Sequence, residues 1–118
     1  MKPGDRRFAV YRRRMTLNDV DAYLRTLDGV RAKRAGGHRA WYVDGLLVAR
    51  ADAAGTLLVR LGGRDREELV TAHPDTFGVP PRWEAHTKVQ ADLAGDDDAI
   101  RRSLRLAWER QRSARAER

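Results

Sequence analysis

Histidine, serine, clustered acids and paired glycines are the residue types in this chain that could carry catalysis, metal binding or phosphate cradling. The histidines are His38, His73 and His86, and no two sit at a spacing that places them together on one helix turn or one strand face. Asp96-Asp97-Asp98 has the composition of a cation site, yet at a helix start the same acids serve as caps and complement the positive end of the dipole. Ser103 and Ser113 are the only serines, and neither lies in a G-x-S-x-G elbow. Gly36-Gly37 and Gly62-Gly63 lack the G-x-x-x-x-G-K-[ST] spacing of a phosphate loop, and the second pair precedes acids that would repel phosphate. Cysteine is absent, which excludes disulfides, thiolate metal sites and cysteine nucleophiles. The expectation is a protein without catalytic residues, without a metal and without a cofactor.

The remaining chemistry is positive charge and aromatic surface. The formal net charge is +7, and it is unevenly spread. Residues 1–14 carry Lys2, Arg6, Arg7, Arg12, Arg13 and Arg14 against Asp5 alone. Residues 31–39 carry Arg31, Lys33, Arg34 and Arg39 with no acid, and the C-terminal end is again arginine-rich. The rest of the chain is net acidic. Basic segments of this kind attract polyanions, and binding through them is steeply salt-dependent because counterions are released. A second origin for the same charge is codon bias in a GC-rich genome, since arginine outnumbers lysine 21 to 3. Of Trp41, Trp83 and Trp108, Trp83 follows Pro80-Pro81 and Arg82 and is the one expected at the surface, beside a cation, where an indole can stack on a base. Trp108 continues an apolar helical stripe and is expected in the core.

A chain of 118 residues with 42% hydrophobic and 35% charged residues makes one domain, and its apolar runs are too short to span a membrane. Residues 1–14 show no sustained period and are expected to be a partly flexible basic segment; residues 15–111 form the domain, and 112–118 a basic tail. Thr16 with Asp19 makes a capping-box-like start, followed by Val20, Tyr23, Leu24 and Leu27 at helical spacing, which predicts a helix over about 16–27 closed by Gly29. Arg31 to His38 reads as a basic loop. Two β-rich runs around Asp44-Gly45 predict a hairpin with a type I′ turn, and Thr56 to Leu61 adds a third strand. Residues 65–72 predict a short helix stopped by His73-Pro74, and 76–79 a short strand. The alternation from His86 to Leu93 predicts a strand with one buried and one wet face. Residues 96–98 start a last helix running to about Gln111. The fold class is α+β: a two-layer sandwich with an antiparallel sheet of four to five strands, one face backed by three helices and the other exposed.

The ordered set of local motifs resembles the MmcQ/YjbR family. Thr16-Leu-Asn-Asp-Val-Asp-Ala-Tyr-Leu24, the hairpin from Gly37 to Arg50, Gly55 to Arg60, Glu67 to Phe77 with its His-Pro-Asp-x-Phe, and Val79-Pro-Pro-Arg-Trp83 carry the resemblance, which covers residues 15–111. It implies a compact α+β fold similar to CyaY-like and secretion-chaperone-like domains, and DNA binding through a double-wing motif. The chain departs from that pattern at Ala85-His86-Thr87, where family members carry a second aromatic or a glycine, so no contact role is carried over to those residues.

Three functional readings follow. A nucleic-acid-binding module would use Arg60, Lys88 and Gln90 on the open sheet face, Arg82 and Trp83 at its rim, and the basic loop with Arg12, Arg13 and Arg14 around the backbone. A peptide-interaction module would instead present an apolar patch on that face. A small-molecule site would need a pocket lined by His38, Tyr42 or His86. The first is the leading expectation, with DNA or another polyanion as partner, no membrane association, a cytoplasmic location and a monomeric state, a dimer being the alternative.

Overall fold

A computed structural model of the chain describes residues 14–116; Arg12 and Arg13 lie outside the described residues. Thr16 caps the first helix, α1 (Leu17–Leu24), through both halves of the capping box: its hydroxyl accepts from Asp19 N at 3.1 Å, and Asp19 Oδ2 accepts from Thr16 N at 2.9 Å. The helix stops at Leu24 rather than Leu27, because Thr26 N and Leu27 N turn back onto the carbonyls of Tyr23 and Leu24.

A six-stranded, wholly antiparallel sheet follows: β1 (Val30–Ala35), β2 (His38–Val43), β3 (Leu46–Ala51), β4 (Thr56–Val59), β5 (Phe77–Gly78) and β6 (Val89–Asp92), in the spatial order β1-β2-β3-β4-β6-β5. The expected three-strand meander is a four-strand one. The stretch from Arg31 that reads as a loop is the edge strand β1, paired with β2 from Val30↔Val43 to Ala35↔His38. Gly36 and Gly37, at φ +59° and +84°, make the same kind of tight turn as Asp44 and Gly45, at +52° and +80°. Both turns need left-handed backbone at two successive positions, which Gly-Gly supplies as readily as Asp-Gly. Between β2 and β3 the register slips at Trp41/Tyr42, leaving Val48 as an extra residue.

The helical layer comprises α1, α2 (Gly63–Ala72) and α3 (Asp97–Ala116). α3 packs across β3 and also touches β2, β4 and α1, while α2 sits against the end of β5. Asp96 Oδ1 accepts from Ala99 N at 3.1 Å, so the acidic run begins with the N-cap of α3. The helix continues past Gln111 to Ala116, and what reads as a tail from 112 is helical to that point. Its buried stripe is Ala99, Ile100, Ser103, Leu104, Ala107 and Gln111, the last donating from Nε2 to Leu47 O at 2.6 Å. Trp108 lies at the margin of the core, half-buried, with Nε1 donating to Asp28 O at 2.8 Å. α2 buries no residue completely and is tied to α3 by the Arg110–Asp65 pair, at 3.0 and 3.1 Å.

Trp41, Val43, Ala49, Leu57, Val59, Val89, Ala91 and Phe77 form the helix-facing side of the sheet and share one core with α1 and α3. The opposite face is not fully open. Leu58 alternates away from that core yet is only 1% exposed. Pro80 is buried, and a 3-10 turn at Arg82–Glu84 sends Glu84 to Arg50, the register partner of Leu58. The segment from Pro80 to Lys88 therefore covers the middle of this face. It also shortens the predicted strand: Thr87 N and Lys88 N bond to Glu84 O at 3.2 and 2.9 Å, so the ladder begins only at Val89.

Candidate nucleic-acid interface

β1 is a strand whose backbone hydrogen bonds come from β2 and whose side chains are mostly wet. Arg31, Ala32, Lys33 and Arg34 are all exposed. Register sorts them: Arg31 opposes Tyr42 and Lys33 opposes Ala40, on the face away from the helices, whereas Arg34 opposes Arg39 on the other. Lys33 Nζ lies 5.3 Å from the centre of the Tyr42 ring, so cation and aromatic form a joint surface. Arg31, Lys33, Tyr42, Asp44 and Gly45 line a shallow polar concavity of about 240 Å³.

The cations fall into two groups. Arg50 and Lys88 are both spent on Glu84, at 3.0 and 2.6 Å, and the Lys88 bond, followed by that of Arg50, holds the Glu84 carboxyl below the usual carboxylate range. Arg39 is spent on α1: it donates to Asn18 Oδ1 at 3.0 Å, lies 3.9 Å from Asp21 Oδ1, and stacks 5.6 Å from the Trp41 ring. Asp21 accepts from Trp41 Nε1 at 2.9 Å, and that bond is the main cause of its lowered carboxyl pKa, with Arg25 adding to it. By contrast Arg14, Arg31, Lys33, Arg34, Arg60 and Arg82 form no ion pair among the described residues; Arg34 bonds only the Gly37 carbonyl, at 2.7 Å.

Of the residues singled out in the sequence, Arg60 follows β4 directly and is half-buried, and Arg31 and Lys33 lie together on the β1–β2 hairpin, on the sheet face away from the helices. Arg82 and Trp83 are exposed on the 3-10 turn that lies over it. Lys88 is there too, but only 14% exposed and neutralised, and Arg39 is directed to the helical layer. Tyr42, which the sequence brought forward only for a pocket, joins the cations; its partnership with Lys33 becomes visible only once β1 is a strand. His38 and His86 do not line the Tyr42 concavity, and they are exposed.

Other chemistry-bearing groups have structural duties. Ser103 Oγ donates to Ile100 O at 2.7 Å inside the core. His73 closes α2, edge-on to Phe77 and 3.5 Å from Arg102. In the Asp96–Asp98 cluster Asp97 pairs with Arg101 at 3.2 Å and Asp96 caps α3, as the helix-start reading expects.

The fold and this surface define a class: a two-layer α+β domain with a basic, partly aromatic hairpin at one sheet edge. No family model, no curated protein and no solved structure matches the chain. Among the described residues no helix is long and apolar enough to cross a membrane.

Proposed function

We propose that this protein is a non-catalytic nucleic-acid-binding module of the MmcQ/YjbR type that holds mainly the phosphate backbone. The observation that carries the reading is the β1 edge, where Arg31, Lys33 and Arg34 stand exposed and form no ion pair among the described residues, although nine other cations among those residues pair internally or along the helices. Unpaired cations on a strand edge suit repeated phosphates, which a flexible ionic contact positions without reading sequence. The same edge supports a monomer: two copies meeting on β1 would bring like charges into register, a common device against edge-to-edge association. A cytoplasmic location goes with the same reading.

The test is a fluorescence anisotropy titration of labelled oligonucleotides at several salt concentrations. Binding whose log K falls steeply with log salt is expected, and the slope counts the phosphates engaged. Replacing Arg31, Lys33 and Arg34 together by alanine is expected to weaken binding alike on all sequences and to lower that slope by roughly two to three charges' worth. Wild-type affinity and slope in the triple variant would remove the hairpin from the interface. A peptide-interaction module is the competing reading, favoured by the exposed apolar side chains of Val79 and Trp83.

A further inference from the structure

We infer that the ligand of this surface is a single strand, with one of its bases stacked on Trp83. The inference rests on the nucleic-acid reading above and narrows it to a substrate class.

Trp83 is 89% exposed. The other two indoles spend their N–H groups inside the protein, Trp41 on Asp21 Oδ1 and Trp108 on Asp28 O, and each has an arginine against its ring. Trp83 makes no hydrogen bond, ring contact or cation contact among the described residues. Its backbone, however, is firmly held. Glu84 N bonds Pro81 O at 2.8 Å, the Glu84 carboxylate reaches Arg50 and Lys88, and the chain at His86–Thr87 lies so close on Gly62 that no Cβ fits between them. The most exposed large apolar side chain among the described residues is thus displayed on a pinned turn, so little ordering cost remains when a flat ring docks on it.

Charge decides which flat ring. Arg82 beside it is exposed and unpaired, and the turn is anchored over β3, two strand spacings (about 10 Å) from the cations of β1. A short extended strand can lay a base on the indole while its phosphates run past Arg82 toward Lys33 and Arg31. A duplex cannot, because its base faces are already stacked on one another.

The experiment compares oligo(dT), oligo(U) and a duplex of equal length, by anisotropy at low salt, with the full chain and its Trp83→Ala and Trp83→Phe variants; circular dichroism verifies that each is folded. Polyglutamate serves as an anion without bases. Wild type is expected to prefer a single strand of one or both kinds. Trp83→Ala is expected to lose about tenfold on it, with duplex and polyglutamate binding unchanged and most of the loss restored in Trp83→Phe. Binding that persists in wild type but falls equally on all ligands in Trp83→Ala, or does not fall at all, overturns the stacking assignment and leaves the phosphate reading standing. A wild type that binds no oligonucleotide removes both.

Discussion

Glu84 is the residue on which stability and binding surface meet. It sits between Arg50 and Lys88 with its carboxyl held below the ordinary range by those two bonds, and all three side chains are largely buried. Glu84→Gln keeps the shape but leaves two cations without a counter-charge, which is expected to cost about 1–2 kcal/mol, read as a lower urea midpoint. The same change frees Arg50 and Lys88 on the face proposed to bind phosphate. Oligonucleotide affinity should therefore rise and its salt dependence steepen, even as the protein becomes less stable. A variant that is destabilised with an unchanged salt slope would place those two cations out of reach of the ligand. Neither role is written in the local sequence, where Glu84 follows Trp83 in an unremarkable loop and Lys88 alternates like a wet strand residue. The contact between Arg50 and Glu84 joins positions far apart in the chain, and only the folding of one over the other brings it about.

Element boundaries were legible where local chemistry decided them. The capping box at Thr16, the Asp44-Gly45 turn and the apolar stripe of α3 all depend on neighbours within a few residues, and each is found where the spacing places it. β1 was not legible. Val-Arg-Ala-Lys-Arg-Ala has one β-branched residue and only a short apolar alternation, of Val30 and Ala32, that breaks at Arg34, because an edge strand beyond the helical layer has little to bury; it is a strand because β2 supplies its hydrogen bonds. Residues 86–88 differ from the strand that the spacing predicts for the converse reason, since their alternation continues that of β6 while the backbone turns back on Glu84 O within the segment from Pro80 to Lys88. Its seat depends on Gly62, where an added Cβ would stand 2.9 Å from the His86 carbonyl carbon and 3.1 Å from Thr87 Cα. Gly62→Ala is therefore expected to displace the segment and destabilise the protein by roughly 1–3 kcal/mol. Faster amide exchange at Thr87 and Lys88 would accompany it. An unchanged denaturation midpoint would mean that the segment is not held there in solution.

At the scale of the whole molecule, two carboxyls among the described residues lie below their ordinary range and contribute to the response to acid. Asp21 and Glu84 hold their protons less tightly in the folded state than in the unfolded chain. Their stabilising contribution is thus complete above the unfolded carboxylate range, about pH 4, and is lost as pH falls through the lowered folded values. The thermal midpoint is expected to be level from neutral pH to about pH 5 and to fall below about pH 4, less steeply in Glu84→Gln. A fall that begins already near pH 6 would rule out these two carboxyls as its cause.

Composition and local spacing were sufficient to determine an α+β fold with an antiparallel sheet, the helices that back it, and an excess of arginine in a few segments. These follow from periodicity and capping, which act within one or two turns of chain. Which arginines are left without a partner was decided by tertiary structure alone. Ion pairing depends on distances across the fold, and the same side chain is a structural pin at Arg39 and Arg50 but an unneutralised charge at Arg31.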